Sequence, residues 1–167
     1  MDAMVAKGAS EARSDQHVDS AGVRIPPPLV FIAMYLLGWL VQSRIPAPFL
    51  PTPLALALGG MLLVAWLALV ATSIPTMIRR GGTLNTSAPS SALVTTGVYR
   101  ITRNPMYLSL VLLYLALLLL TRMLWPLAFL PLALVYTQIT ILREERYLER
   151  AFGASYLDYR ARVRRWL

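Results

Sequence analysis

Between Asp19 and Glu144 this 167-residue chain carries no acidic side chain, and most of that interval is four apolar runs broken by proline, glycine and arginine. A soluble domain needs charge of both signs spread over its surface, so this absence constrains the fold more than any motif. Overall, 57% of the residues are apolar and 14% are charged. The run from Leu54 to Ile74 is long enough to cross a hydrocarbon core of roughly 30 Å. The runs predict spans at 27–43, 54–77, 105–121 and 124–142. The expected fold class is therefore all-α: a polytopic membrane protein with about four transmembrane helices and a C-terminal interfacial amphipathic helix. Residues 1–24 are polar and mixed in charge, and read as a disordered cytoplasmic tail. They do not read as a cleavable signal peptide, because the first apolar run begins only after Arg24. Residues 25–167 then form one membrane domain.

Punctuation refines the helices. Pro46, Pro48, Pro51 and Pro53 predict a stiff non-helical turn. Gly59 and Gly60 offer a smooth face to a neighbouring helix. Pro75 should kink or end the second span, and Arg79-Arg80-Gly81-Gly82 should terminate it. Residues 83–104 form a polar connection long enough to suggest a functional loop. Thr121-Arg122 leaves room only for a tight hairpin, and Pro126 and Pro131 can bend the fourth span. That span should continue out of the membrane through Arg143 to Phe152 and stop at Gly153. In the C-terminal segment, 143–167, Ser155 and Asp158 have capping-box spacing. Tyr156, Tyr159, Val163 and Trp166 share one helical face, while Arg160 and Arg164 lie on another. Tyr114 and Tyr136 read as packing residues within spans.

The formal charge of +8 lies beside apolar runs rather than on a soluble basic face, which points to the lipid bilayer as partner and away from nucleic acid. With no cysteine, and with the single histidine, His17, in the tail, no transition-metal site is expected. Arg79, Arg80, Arg100 and Arg103 lie between spans two and three, and seven arginines follow from Arg143 to Arg165. The positive-inside rule then puts the 83–104 loop and both termini in the cytoplasm. Asn104-Pro105 reads as a helix start, with Asn as N-cap and Pro in the first turn, so a positive dipole end faces this loop. Arg100 and Arg103 flank it. Spans three and four make a hairpin, so Asn104-Pro105 and Glu144-Glu145 should be neighbours at its open end.

Elimination narrows the chemistry. Between Asp19 and Glu144 there is no acid, His, Cys or Lys, so most catalytic kits and proton relays lack their parts. Methyl transfer from a sulfonium donor fits the restriction, because the donor leaves as a neutral thioether and the protein mainly holds two reactants in line. A helix N-terminus with arginines can take the donor's carboxylate, a glutamate its ammonium or ribose hydroxyls, and aromatic faces its cation. This permits the reaction class without establishing it.

Leu93-Val94-Thr95-Thr96-Gly97-Val98-Tyr99-Arg100, then Arg103-Asn104-Pro105-Met106-Tyr107, resembles the cofactor signature of the isoprenylcysteine carboxyl methyltransferases and related phospholipid methyltransferases. Glu144-Glu145, with Phe152-Gly153-Ala154-Ser155-Tyr156-Leu157-Asp158-Tyr159, is similar to that family's C-terminal signature, and the likeness covers roughly 92–164. The resemblance implies an enzyme transferring methyl groups from S-adenosylmethionine to a lipophilic acceptor bearing a carboxylate, thiol or amine. It implies a bacterial inner-membrane location with the cofactor site on the cytoplasmic side. Leu93 and Val94 would contact the cofactor largely by backbone, and Gly97, Tyr99 and Arg100 belong to the same pocket. Asn104, Pro105 and Tyr107 would surround the cofactor's amino-acid end. Glu144 would be the acidic contact and Glu145 its close support. No catalytic residue is assigned; Arg103, Asn104 and Arg143 are positioning candidates. Asn104 stands where the family often has His. Thr140 stands where its eukaryotic prenylcysteine enzymes have an Arg thought to meet a substrate carboxylate.

Two other readings compete. Membrane sterol reductases resemble this family in their C-terminal part, which makes an NADPH-dependent reductase-like protein an alternative. A non-catalytic lipid-binding protein is the other. Singly, a helix cap at Asn104-Pro105, surface pairing at Glu144-Glu145 and topological arginines explain much of the pattern.

Overall fold

Proline opens every long helix among the described residues. In a computed structural model describing residues 25–47, 50–81 and 92–167, four helices each carry Pro at the first or second position, and none has a side-chain cap hydrogen bond. They are α1 (Pro27–Arg44), α2 (Thr52–Arg79), α3 (Pro105–Leu120) and α4 (Trp125–Phe152), followed by a short α5 (Ala154–Arg162). Proline suits these places because its missing N–H falls among the unpaired donors of a helix start. A 3-10 turn, Gly97–Arg100, precedes α3. Among the described residues there is no strand element, so the all-α expectation holds. The tail at 1–24, Pro48 and residues 83–91 of the loop lie outside the described residues.

The boundaries correct one expectation: Pro53 lies inside the first turn of α2 rather than in a turn before it. Of the two outcomes expected at Pro75, the helix does not end there but continues to Arg79, the expected stop. Apolar surroundings offer freed backbone groups no competing water, so a helix carries an internal proline there more readily. The Thr72 hydroxyl also donates to the Ala68 and Leu69 carbonyls and the Thr76 hydroxyl to that of Thr72, all in the turns before Pro75.

The molecule is apolar on the outside. Met61, Val64 and Val135 are each more than 60% exposed, and only 11% of the most apolar stretch of α2 is buried. A helix at the core of a soluble protein would be mostly buried, so this face requires lipid. Among the described residues two helices, α2 and α4, are long and apolar enough to cross a membrane, and α3 is a shorter apolar helix. At about 1.5 Å per residue, the 28 residues of α4 extend roughly 42 Å, well beyond the hydrocarbon core. Its apolar part ends at Leu142, and the charged residues 143–152 stand clear of it.

Two close approaches set the packing. A Cβ on Gly38 would sit 2.4 Å from the Pro126 Cα, so α1 lies with its backbone directly on α4. A Cβ on Gly59 would sit 2.9 Å from the Leu120 side chain, which seats that side chain of α3 on the α2 backbone. Gly60, by contrast, faces open space. Tyr114 joins α1, α3 and α4: its ring makes edge contacts with Phe31 and Tyr35, and its hydroxyl donates to the Pro126 carbonyl at 2.6 Å. Tyr136 likewise donates to the Ile25 carbonyl at 2.6 Å. The hairpin between α3 and α4 turns at Thr121-Arg122, where Arg122 takes a positive φ of 57°.

Candidate functional site

At the open end of that hairpin, α4 rises past Leu142 and the chain before α3 crosses in front of it. Between them lies a cleft of about 100 Å³ that opens to solvent. One wall is Leu93, Val94 and Tyr99. A second is Arg103, Asn104, Pro105, Met106 and Tyr107, and the third is Glu144, Glu145 and Leu148 of α4. Met77 at the end of α2, with Tyr156 and Tyr159 of α5, completes the lining. The two polar sequence stretches are therefore neighbours, as expected from the hairpin.

The adjacent glutamates do different things. Glu144 accepts a hydrogen bond from the Tyr107 hydroxyl at 3.0 Å on Oε2 and makes no ion pair with an arginine. Burial pushes its carboxyl above the ordinary value of 4.5, the Tyr107 bond offsets part of this, and the Glu145 charge adds to it. Glu145 is buried and fully committed. Arg103 reaches its Oε1 at 3.0 Å, and Arg165 grips both oxygens, Nε to Oε1 at 2.9 Å and Nη2 to Oε2 at 2.7 Å. That fork is the strong form of a carboxylate bond, and it raises the Arg165 pKa.

The C-terminal residues after α5 bind to the walls of the cleft without lining it. After Arg162 the chain is extended rather than helical, and it runs beside Thr102 in a single parallel bridge. The Arg103 amide donates to the Arg164 carbonyl at 3.0 Å. The Arg165 carbonyl accepts from Thr102 Oγ1 at 3.1 Å and from Asn104 Nδ2 at 3.0 Å. Asn104 thus occupies the N-cap position of α3 without capping by its side chain, which instead holds the C-terminal strap. The Trp166 indole donates to Gln138 Oε1 at 3.2 Å.

Helix α5 turns its tyrosines inward. Tyr159 donates to the Tyr99 carbonyl at 2.7 Å, and Tyr156 accepts from Arg103 Nη1 at 3.2 Å. Both are buried, so the aromatic face expected at the bilayer interface is spent on the protein. Ser155 caps nothing: α5 starts at Ala154 directly after Gly153, whose φ of 52° ends α4 as expected. Two buried polar atoms at the cleft have no partner among the described residues, the Tyr99 hydroxyl and Arg103 Nε. Burial, with the Glu144 charge adding, pushes the Tyr99 hydroxyl up to about 12, so it stays a donor at neutral pH.

Three expected site residues stand elsewhere. Gly97 is exposed and its positive φ of 61° fits a turn against Thr76 of α2, where an added Cβ would come within 3.3 Å. Arg100 ends the 3-10 turn pointing to solvent, and Arg143 is exposed outside the cleft lining. Thr140 is buried, its hydroxyl donating to the Tyr136 carbonyl within α4. Sequence reasoning had missed Arg165 and Thr102 and had read Tyr156 and Tyr159 as membrane-facing. The signal available was an arginine-rich end whose charge exceeds what a short helix needs.

A family model described as phospholipid methyltransferase matches residues 54–155. A curated protein of Haemophilus influenzae, described as "Uncharacterized protein", is 56% identical over 34 residues, 20% of this chain and 54% of that one. The chain thus spans about half the length of the curated relative it matches. No solved structure matches.

Proposed function

The chain belongs to the phospholipid methyltransferase family, and on that premise we propose that its cleft binds S-adenosylmethionine and passes the methyl group to a lipophilic acceptor arriving from the bilayer. The bound cofactor supplies an electrophilic methyl group on a sulfonium whose leaving group is a neutral thioether. The observation that carries the reading is a set of polar groups in one apolar-walled cleft: the Glu144 carboxylate, held by the Tyr107 hydroxyl, and the unpartnered Tyr99 hydroxyl and Arg103 Nε. An amino-acid end has complementary needs. Its ammonium suits Glu144, and its carboxylate suits the two unpaired donors. Leu93, Val94, Met106 and Leu148 supply apolar surface for a base and ribose.

In this reading α1 and α3 cross the bilayer beside α2 and α4, and the cleft and both termini face the cytoplasm by the distribution of arginines. Glu145, Arg103 and Arg165 brace the cleft by tying the strap to its walls. Both cations are engaged with Glu145, and Thr140 brings none, so the described residues favour an amine or thiol acceptor over a carboxylate.

The test is binding of S-adenosylhomocysteine to the detergent-purified chain, compared with NADPH. Saturable binding of the former that falls at least about tenfold in Glu144→Gln is expected, since a charge-assisted bond is lost. Unchanged affinity in that variant, or stabilisation by NADPH alone, removes the site assignment.

A further inference from the structure

Six charges fall within ten residues after Leu142, and the fold sorts them by sign. Glu144 receives Tyr107, Glu145 receives Arg103 and Arg165, and Glu149 pairs with Arg160 at 3.3 Å. Arg143, Arg146 and Arg150 are all exposed and have no partner among the described residues. At 3.6 residues per turn these three arginines share one face of α4. Leu132, Val135, Ile139 and Leu142 lie on that same face, an arc of roughly 100°, and each is at least 36% exposed. One continuous ridge therefore runs from exposed hydrocarbon into unpaired positive charge, on the side of α4 turned away from the cleft.

Such a stripe is unfavourable by itself. Arg143 and Arg146 are spaced i,i+3 and Arg146 and Arg150 i,i+4, where like charges repel on a helix surface. Among the described residues no acidic side chain pairs with these three arginines, and the one acidic side chain left without a partner, Asp158, lies on α5. A counter-anion that also carries acyl chains fits the whole ridge: apolar chains along the leucine, valine and isoleucine side chains, phosphate among the guanidinium groups. We propose that this face of α4 is a selective docking surface for an anionic phospholipid. The inference rests on α4 crossing the bilayer and is independent of the methyl-transfer chemistry.

The full-length chain is placed in nanodiscs of equimolar phosphatidylglycerol and phosphatidylcholine, and the lipids that stay bound are counted by native mass spectrometry. Phosphatidylglycerol is expected to be enriched on the wild type, and R143Q/R146Q/R150Q is expected to lower the enrichment at least about tenfold, each arginine near a headgroup contributing severalfold. R79Q/R80Q, which removes exposed arginines at the end of α2, should leave it nearly unchanged. R146Q alone should lower it about fivefold, which keeps the test open if the triple variant does not fold. Unchanged enrichment in both stripe variants overturns the proposal. So does an equal loss in R79Q/R80Q, which means diffuse surface attraction, or displacement of the lipid by inorganic phosphate, which means a soluble-anion site.

Discussion

Arg165 holds Glu145 through a two-pronged bond of 2.9 and 2.7 Å, and Glu145 is the immediate neighbour of the one glutamate at the cleft that makes no ion pair. The third residue from the C-terminus is thereby fixed to the helix that carries Glu144. Arg103 shares the same carboxylate from the opposite side, so a single buried charge joins α4, the approach to α3 and the strap.

Removing the shared charge should cost more than removing one claimant. Glu145→Ala leaves two arginines without their anion at a mostly buried position and should destabilise the protein by about 3 kcal/mol. Arg165→Ala removes a partner that is 28% exposed, leaves Arg103 in place, and should cost about 1–2 kcal/mol. Thermal melts in one detergent compare the two; an equal or reversed order contradicts the shared-clamp geometry.

Asn104 separates capping from latching. A helix cap accepts backbone N–H bonds, which Asp does as well as Asn. Holding the Arg165 carbonyl needs a donor, which Asp and Ala both lack. Asn104→Asp and Asn104→Ala are thus expected to raise the dissociation constant for S-adenosylhomocysteine alike, by about fivefold for one lost hydrogen bond of roughly 1 kcal/mol. Wild-type affinity in Asn104→Asp means that the residue serves as a cap.

The raised Glu144 pKa gives opposite pH trends for stability and binding. A carboxyl whose folded pKa lies above its ordinary 4.5 contributes stability below that value, and this is lost as pH rises through the folded pKa. Binding an ammonium needs the carboxylate, so affinity should climb over the same window and then level off. Melts of the free protein and titrations with S-adenosylhomocysteine across that range read both trends. Glu144→Gln should flatten the binding trend, and a binding curve that falls with rising pH contradicts the assignment of Glu144 to the ammonium.

The glycines make a paired test of packing. Gly38→Val places carbon against the Pro126 backbone and should cost about 3 kcal/mol or more by forcing α1 off α4. Gly60→Ala meets nothing and should be neutral or stabilising by up to about 1 kcal/mol, since Ala is the better helix former. Retention of the folded fraction in detergent distinguishes them. A tolerated Gly38→Val contradicts the contact.

Local patterns carried much of this protein. Apolar runs and their proline starts are properties of consecutive residues, so the helices and the stop at Gly153 were legible in the chain itself. The hairpin at Thr121-Arg122 followed from connection length, and with it the meeting of Asn104-Pro105 with Glu144-Glu145. What only the tertiary structure decided is which way each side chain faces. Glu144 and Glu145 are identical in type and adjacent, yet one opens to the cleft and the other is closed by Arg165, a residue distant from both in the chain. Gly59 and Gly60 differ in the same way, as do Asn104 the cap and Asn104 the latch. Helical period assigns residues to faces, but the partner of each face is set by long-range contacts, and those form only when the helices and the C-terminal strap pack together.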